Sequence, residues 1–78
     1  MGKKFIGDMI REEMKVQGRK NCWLAQELPC DPSNVTRLFK KKSIDTDLLF
    51  RISILLRRNF FVHLSERVEE EIQLRDSQ

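Results

Sequence analysis

The chain of 78 residues has no tyrosine, one tryptophan, one histidine, two cysteines, two prolines and three glycines. Such low glycine and proline counts, with 40% hydrophobic residues, fit an ordered helical domain better than a disordered segment. No apolar run approaches the ~20 residues of a membrane span. Asp8 and Arg11 interrupt any signal-peptide core, and Ile6 stands where myristoylation requires Ser or Thr. We therefore expect a cytoplasmic protein without a membrane partner.

The two cysteines do not form a metal-binding pattern. Cys22 and Cys30 are eight residues apart, no CxxC pair is present, and His63 lies far along the chain. Four metal ligands cannot be assembled from this set, so we predict no metal and no cofactor. We expect two reduced, partly buried thiols, with a redox or metal switch as the alternative. Because the sequence also lacks a Gly-rich phosphate loop and a nucleophile paired with a base, we do not expect an enzyme.

The net charge of +3 is divided unevenly along the chain. Residues 1–58 carry 13 Lys and Arg against 7 Asp and Glu, which gives +6. Residues 59–78 carry 2 against 5, which gives −3. Positive charge concentrated in the larger part is what a polyanion-binding surface needs.

Apolar spacing predicts two short helices joined by a tight turn within residues 20–42. Their inner faces are formed by Leu24, Ala25 and Leu28 in the first and by Val35, Leu38 and Phe39 in the second. We expect the Asp31 side chain to cap the second helix, and Pro32, which lacks an N–H, to occupy its first position. Asn21 is the only good capping residue for the first helix.

The flanking segments predict three further helices, which makes the chain a single all-α domain over residues 1–78. One helix covers residues 5–16 and ends at Gly18. Another covers residues 47–58, with Asp45 or Thr46 as its cap and Asn59 as a left-handed stop. The last covers about residues 60–75 and is amphipathic and acidic. Trp23 is expected to pack at the edge of the core and not to stack on a base.

Two apolar surfaces exceed what one small core needs. Phe50 and Ile54 form an i,i+4 pair away from the main stripe of the fourth helix. We predict that the last helix of the same chain covers this pair, or the same surface of a second copy, which makes the pair a candidate dimer interface. The acidic face of the last helix is either solvated or binds a partner protein.

The helix pair resembles the helix-turn-helix of the phage repressor-like family, the Cro and lambda-repressor or XRE type. The similar residues are Asn21-Cys22-Trp23-Leu24-Ala25, Leu28, Cys30, Val35 and Leu38, and the resemblance extends to residues 6–10 and 47–61. It implies a compact five-helix lambda-repressor-like DNA-binding domain, with the motif at about residues 21–41 and an extended C-terminal helix. Pro29 stands where the family usually has Gly at positive φ, so the turn must be built differently, with Cys30 or Leu28 absorbing the change.

The resemblance also assigns roles to individual residues. The third helix, predicted over residues 32–41, would be the recognition helix in the major groove, with Ser33, Thr36 and Arg37 facing base edges. Phosphate contacts would come from Asn21, Asn34, Lys40, Lys41 and Lys42, although Asn34 is also a possible cap. Arg11 and Lys15 lie one turn apart and could touch phosphates too, but solvated surface charge is the commoner explanation.

The function implied is a sequence-specific double-stranded DNA-binding regulator of transcription. It would act as a homodimer on a palindromic operator whose half-sites lie about 34 Å apart. The alternative is a protein-interaction module, such as an antitoxin or a regulatory subunit, that binds its partner through the acidic last helix.

Overall fold

A computed structural model of the chain describes residues 5–76, which form five α-helices and no strand. The helices are α1 (Ile6–Gln17), α2 (Asn21–Glu27), α3 (Pro32–Leu38), α4 (Thr46–Leu56) and α5 (Phe61–Asp76). The prediction of an all-α chain with five helices is confirmed. None of these helices has the length and apolar character that crossing a membrane requires.

The core lies between α1, α2, α3 and α4. Its buried apolar side chains are Ile6, Ile10, Met14, Leu24, Ala25, Val35, Leu38, Leu49, Ile52, Leu56 and Phe60. α2 and α3 pack on each other, as the spacing of their apolar residues predicted. α5 contributes no buried residue, and of its apolar side chains Phe61 and Leu64, both near its start, pack against this core. The core is therefore complete before the second half of α5 begins.

α1 begins and ends as its sequence predicts. The Asp8 carboxylate accepts a hydrogen bond from the Phe5 amide at 3.1 Å, where its negative charge also suits the helix dipole. Gly18 adopts the left-handed conformation with φ 69°, and its amide donates to the Lys15 carbonyl at 3.1 Å. Glycine accepts this conformation without strain, which explains why the helix ends there.

Two predicted caps of the α2–α3 pair are wrong. Lys20, with extended backbone, precedes α2, and Asn21 is already its first helical residue. Asp31 precedes α3, but its side chain makes no capping hydrogen bond. The reason is that the Asn34 amide, which such a side chain would bind, donates to the Asp31 backbone carbonyl at 2.9 Å.

The predicted start of α4 is confirmed, but its predicted end is wrong. The Asp45 carboxylate accepts from the Asp47 amide at 3.0 Å, as expected of a cap. At the other end Arg57, and not Asn59, takes the left-handed conformation, with φ 52°. Asn59 instead precedes α5, and its side-chain oxygen accepts a hydrogen bond at 3.0 Å from the amide of Phe61, the first residue of that helix. The chain must reverse by residue 57 so that Phe60 can enter the core.

The turn between α2 and α3 contains no left-handed residue. Within residues 5–76, positive φ occurs only at Gly18 and Arg57, so neither Leu28 nor Cys30 adopts it. The turn is closed by the Cys30 amide, which donates to the Ala25 carbonyl at 2.9 Å. Pro29 has no amide N–H, and it is compatible with this geometry because no hydrogen bond of the turn requires a donor at that position.

Polar contacts tie α1 to the end of α4. Arg58 Nη1 donates to Glu13 Oε1 at 2.8 Å, and Gln17 Nε2 donates to the Leu56 carbonyl at 2.6 Å. The hydrogen bond from Arg58 lowers the pKa of Glu13 below its usual value of 4.5, while partial desolvation opposes this shift. The carboxylate is therefore held in its charged form by the fold.

We expect Glu13→Gln to destabilise the chain by less than about 1 kcal/mol at neutral pH, since the pair is near the surface. Because the folded-state pKa of Glu13 is lowered, its contribution is complete above the usual pKa of 4.5 and is lost as the pH falls through the folded-state pKa. Urea denaturation at several pH values should show the difference from wild type shrinking below that point. Glu27→Gln, the same change at an exposed glutamate, is the control; a difference for Glu13→Gln that does not vary with pH would contradict the ionic role.

Candidate nucleic-acid interface

α3 exposes the side chains that the sequence assigned to base contacts. Val35 and Leu38 are buried in the core, and the opposite side of the helix leaves Ser33, Thr36 and Arg37 exposed. These three residues therefore share an accessible outer face. Within residues 5–76, Thr36 is the one of these three whose side chain makes a hydrogen bond, which is described below.

α3 is shorter than the predicted span of residues 32–41, because it ends at Leu38. The amides of Lys40 and Lys41 donate to the carbonyls of Arg37 and Leu38 at 3.0 and 3.1 Å, which are the tighter bonds of a turn. The Lys41 carbonyl in turn accepts from the Gly7 amide at 3.3 Å. This bond draws the chain toward α1, so Lys40 and Lys41 lie in the segment after the helix.

An open cleft of about 410 Å³ lies beside α3, and we call it the basic cleft. Four of its lining residues are cations and one is an acid; the full set is Asp8, Arg11, Met14, Lys15, Arg19, Asn21, Thr36, Phe39 and Lys40. The cleft brings together α1, the start of α2 and the end of α3. It thus collects three residues of the predicted site, Asn21, Thr36 and Lys40, beside cations of α1.

Arg19 is placed in the basic cleft by Trp23. The guanidinium carbon lies 4.4 Å from the centroid of the Trp23 ring, within the range of a cation–π contact. Trp23 is partly buried against the core, which confirms the prediction that it packs at the core edge. The ring thereby holds the cation near Asn21. Among the described residues, the Asn21 side chain has no hydrogen-bond partner of its own.

The remaining predicted site residues lie on the other flank of α3 or beyond its end. Asn34, Arg37 and Lys41 border a second depression, which also contains the half-buried Cys30. Lys42 lies on the α1 side, with its Nζ 5.3 Å from the centroid of the Phe5 ring. The predicted site residues therefore lie on both flanks of α3 and on the outer face between them.

Thr36 is partly occupied by its own helix. Its hydroxyl donates to the Pro32 carbonyl one turn earlier at 3.4 Å, which is a long hydrogen bond. The hydroxyl oxygen keeps its lone pairs, and the methyl group is exposed with the rest of the side chain. Thr36 can therefore accept a hydrogen bond or make an apolar contact without breaking the bond to Pro32.

The predictions for the thiols and for metal ligands have different outcomes. Cys22 and Cys30 are both free, but Cys22 is exposed, so its predicted partial burial is wrong. This follows from its position beside the buried Leu24 on the outward side of α2. Over residues 5–76, no three side chains of His, Cys, Asp or Glu come together in a way that could hold a metal ion.

Sequence reasoning gave too little weight to the cations of the cleft. In sequence, Arg19 lies in a basic link between the first two helices, and Arg11 and Lys15 are most simply explained as solvated charge. The i,i+4 spacing of Arg19 and Trp23 was the available signal for the first. Arg11 and Lys15 reach the cleft because α1 packs beside α3. No local sequence pattern predicts this packing.

Comparison with known proteins gives no match among family models, curated proteins or solved structures. The function is accordingly inferred from the residues and the geometry of the chain.

Proposed function

We propose that the chain is a sequence-specific double-stranded DNA-binding regulator of transcription, acting in the cytoplasm as a homodimer. In this proposal α2 and α3 are the helix-turn-helix of a lambda-repressor-like domain. The observation that carries the proposal is the basic cleft, in which Arg11, Lys15, Arg19 and Lys40 stand directly beside the exposed outer face of α3. A concentration of cations beside an exposed helix suits a duplex better than it suits a small ligand.

α3 would lie in the major groove. A helix with its side chains is about 10–12 Å in diameter, and the groove is about 12 Å wide, so the helix fits into it. Ser33, Thr36 and Arg37 would then face base edges. Arginine binds guanine through two parallel hydrogen bonds, so Arg37 would be the main sequence-reading residue.

The two flanks of α3 would contact the two phosphate backbones that border the groove. On one side stand the cations of the basic cleft with Asn21, and on the other stand Asn34 and Lys41. Lys42 would extend the first group beside Phe5. Such contacts supply affinity and orientation without reading sequence, and they make binding sensitive to salt.

A homodimer would supply the affinity that one short helix lacks. Two copies related by a two-fold axis would bind two inverted half-sites, about 34 Å apart, on a palindromic operator. The second binding event is then intramolecular, which strengthens the complex without any new contact.

The proposal is tested by selection from a random pool of duplex DNA at near-physiological salt. We expect enrichment of an inverted repeat, because each α3 reads one half-site. Recovery of no shared sequence, with binding that disappears as salt is raised, would contradict sequence-specific recognition and leave an electrostatic surface only.

Removing one cation of the basic cleft should change the salt dependence of binding. We expect Arg19→Gln to weaken binding to selected and random duplexes by similar factors and to reduce the slope of log K against log salt by about 1. Arg51→Gln, which removes the same charge from an exposed site on α4 outside both depressions, is the matched control and should leave the slope unchanged. Equal slopes for wild type and Arg19→Gln would remove Arg19 from the interface.

A protein-interaction role, as in an antitoxin or a regulatory subunit, is the second candidate. It is favoured by α5, whose Glu66, Glu69 and Glu70 are exposed. If a basic partner protein binds this face, a Glu69→Lys/Glu70→Lys chain should lose the partner while keeping its affinity for DNA. Unchanged binding of a purified partner would exclude the acidic face as its site.

A further inference from the structure

α5 carries an apolar stripe that the other described residues of the chain leave uncovered. Phe61 and Leu64 pack against the core, but Val68 and Ile72, which continue the same side of the helix, are 56% and 48% exposed. Leu64, Val68 and Ile72 line one shallow depression along the helix. The spacing of three, four and four residues keeps these side chains in one line.

The stripe joins the exposed pair on α4. Phe50 and Ile54 are 61% and 60% exposed, and Phe61 lines the same depression as both of them. Phe61 is therefore the link between the two surfaces. We call the continuous surface the apolar band; its members are Phe50, Ile54, Phe61, Leu64, Val68 and Ile72.

Within residues 5–76, no part of the chain covers the apolar band. Of the two occupants that the sequence allowed for Phe50 and Ile54, α5 of the same chain is contradicted, because both side chains remain exposed beside it. The 16-residue α5 is about 24 Å long, and its second half extends past the core. The molecule measures 46 × 24 × 21 Å, as this extension requires.

The exposure of the band is typical of an interface between proteins. Phe50, Ile54, Val68 and Ile72 each leave about half of the side chain or more exposed, on one continuous surface. Soluble monomers rarely expose a large contiguous apolar patch, and such patches mark interaction sites.

We propose that the apolar band is covered by a second copy of this chain, with the two α5 helices packed antiparallel about a two-fold axis at Val68. In this register Val68 meets Val68, and Leu64 of each copy lies opposite Ile72 of the other. Arg75, near the free end of each α5, then lies opposite Phe61 of the second copy, at the part of the band that adjoins Phe50 and Ile54. The stripe from Leu64 to Ile72 is thereby covered by the same stripe of the second copy.

The charges along the stripe are self-complementary in this arrangement. Arg67, Glu71 and Arg75 line the same depression as the apolar residues and so follow one edge of the stripe. In an antiparallel two-fold pair that edge faces its own copy, so Arg67 comes within about one turn of Glu71 of the second copy, and the contact occurs twice. Glu66 and Glu70 point away from the stripe, where they remain in solvent.

A parallel pair of α5 helices would cover less of the apolar band. Both folded cores would lie at the same end of the pair, and the free ends of α5 would meet only each other. Phe50 and Ile54 would then depend on contact between the two cores. In the antiparallel register the end of α5 of the second copy lies beside them, and the two apolar stripes face each other along their full length.

This inference rests on the proposed function only for the dimer itself, and its test contains no DNA. A negative association test would contradict the dimer but not the base-reading roles of Ser33, Thr36 and Arg37. A negative DNA selection would contradict base reading but not the dimer.

The test is sedimentation equilibrium of the full chain over a range of concentrations. We expect a wild-type dimer and, for Val68→Glu, association weakened at least about tenfold, because two carboxylates would meet at the axis. The matched control is Val16→Glu, the same change at a valine of α1 that is 81% exposed, which should dimerise as wild type. Helical content by circular dichroism verifies that each variant is folded. A wild-type monomer, or a Val68→Glu dimer as tight as wild type, would overturn the proposal.

The register has its own test in two charge reversals. Arg67→Glu and Glu71→Arg should each weaken self-association, because each places like charges opposite one another. A mixture of the two variants should associate more tightly than either alone, since Glu at 67 meets Arg at 71 and Glu at 71 meets Arg at 67. A mixture no tighter than its components would overturn the antiparallel register, and because each single helix is unchanged by mixing, helix stability cannot produce the effect.

Discussion

Gly7→Ala is expected to lower the melting temperature of the chain by roughly 5–15 °C. Overpacking a close contact costs about 1–3 kcal/mol, and the upper end applies here because the groups that would be struck are backbone. Alanine returns about 1 kcal/mol through its higher helix propensity. The net loss of about 1–2 kcal/mol corresponds to this temperature change in a domain of 60–100 residues.

The geometry of Gly7 explains why the clash outweighs the propensity. A Cβ at this position would lie 2.6 Å from the carbonyl oxygens of Leu38 and Phe39. Neither atom can rotate away, so α1 and the end of α3 would have to separate. Their separation would also stretch the hydrogen bond from the Gly7 amide to the Lys41 carbonyl, which is 3.3 Å long already.

The control for Gly7→Ala is Gly18→Ala. A Cβ at Gly18 would meet nothing within 4 Å, but φ is 69° there, so the cost of about 1 kcal/mol is conformational. Gly18→Asn should be milder, since asparagine tolerates the left-handed region better than alanine does. Gly7→Asn has no such relief. If Gly7→Ala melted at or above the wild-type temperature, the close approach of α1 to α3 would be wrong.

The same substitution should affect DNA binding below the melting temperature. Lys40 and Lys41 follow the point of contact, and Arg11 and Lys15 stand on the α1 side of the basic cleft. Moving α1 from α3 would separate these cations, so phosphate binding should weaken in a fully folded Gly7→Ala chain. Gly18→Ala should bind as wild type under the same conditions.

The helices were predictable because each carries a local apolar period. Ile6, Ile10 and Met14 of α1 are buried at helical spacing, and Leu49 and Ile52 of α4 are buried likewise. The outer face of α3 followed from the same logic, since fixing Val35 and Leu38 in the core leaves Ser33, Thr36 and Arg37 outside. Such inferences need no knowledge of distant contacts.

The end of α3 was not predictable from its own residues. Phe39 continues the apolar period beyond Leu38, and the lysines that follow are good helix formers. What ends the helix is the contact with α1 through Gly7, which lies more than thirty residues away in the chain. In the sequence Gly7 is only a weak helix former. The structure shows why a glycine is needed there, because two backbones approach each other too closely for a Cβ atom.

The basic cleft was hidden for a related reason. Arg19 lies between two helices and outside their apolar periods, and its spacing of four residues from Trp23 is a weak signal for the ring contact that sets its position. The exposure of Phe50 and Ile54 was left open by the sequence because it depends on the direction of α5. That direction is set where Arg57 turns left-handed and Phe60 enters the core.

Arg37→Ala is expected to weaken binding to the selected duplex by about 1–3 kcal/mol while leaving binding to random duplex nearly unchanged. Arg37 is exposed on the outer face of α3, and alanine is the strongest helix former, so the loss would come from DNA contacts and not from unfolding. Competition binding of wild type and variant to both duplexes measures the two effects. Equal losses on both duplexes would contradict a base-reading role.

Arg37→Lys separates the charge of this residue from its geometry. Lysine keeps the positive charge but lacks the planar fork that makes two parallel hydrogen bonds to guanine. We therefore expect Arg37→Lys to lose most of the discrimination between selected and random duplex, with a salt slope equal to that of wild type. If Arg37→Lys kept full discrimination, Arg37 would act as a phosphate-binding charge beside Lys41, and the reading of sequence would pass to Ser33 and Thr36.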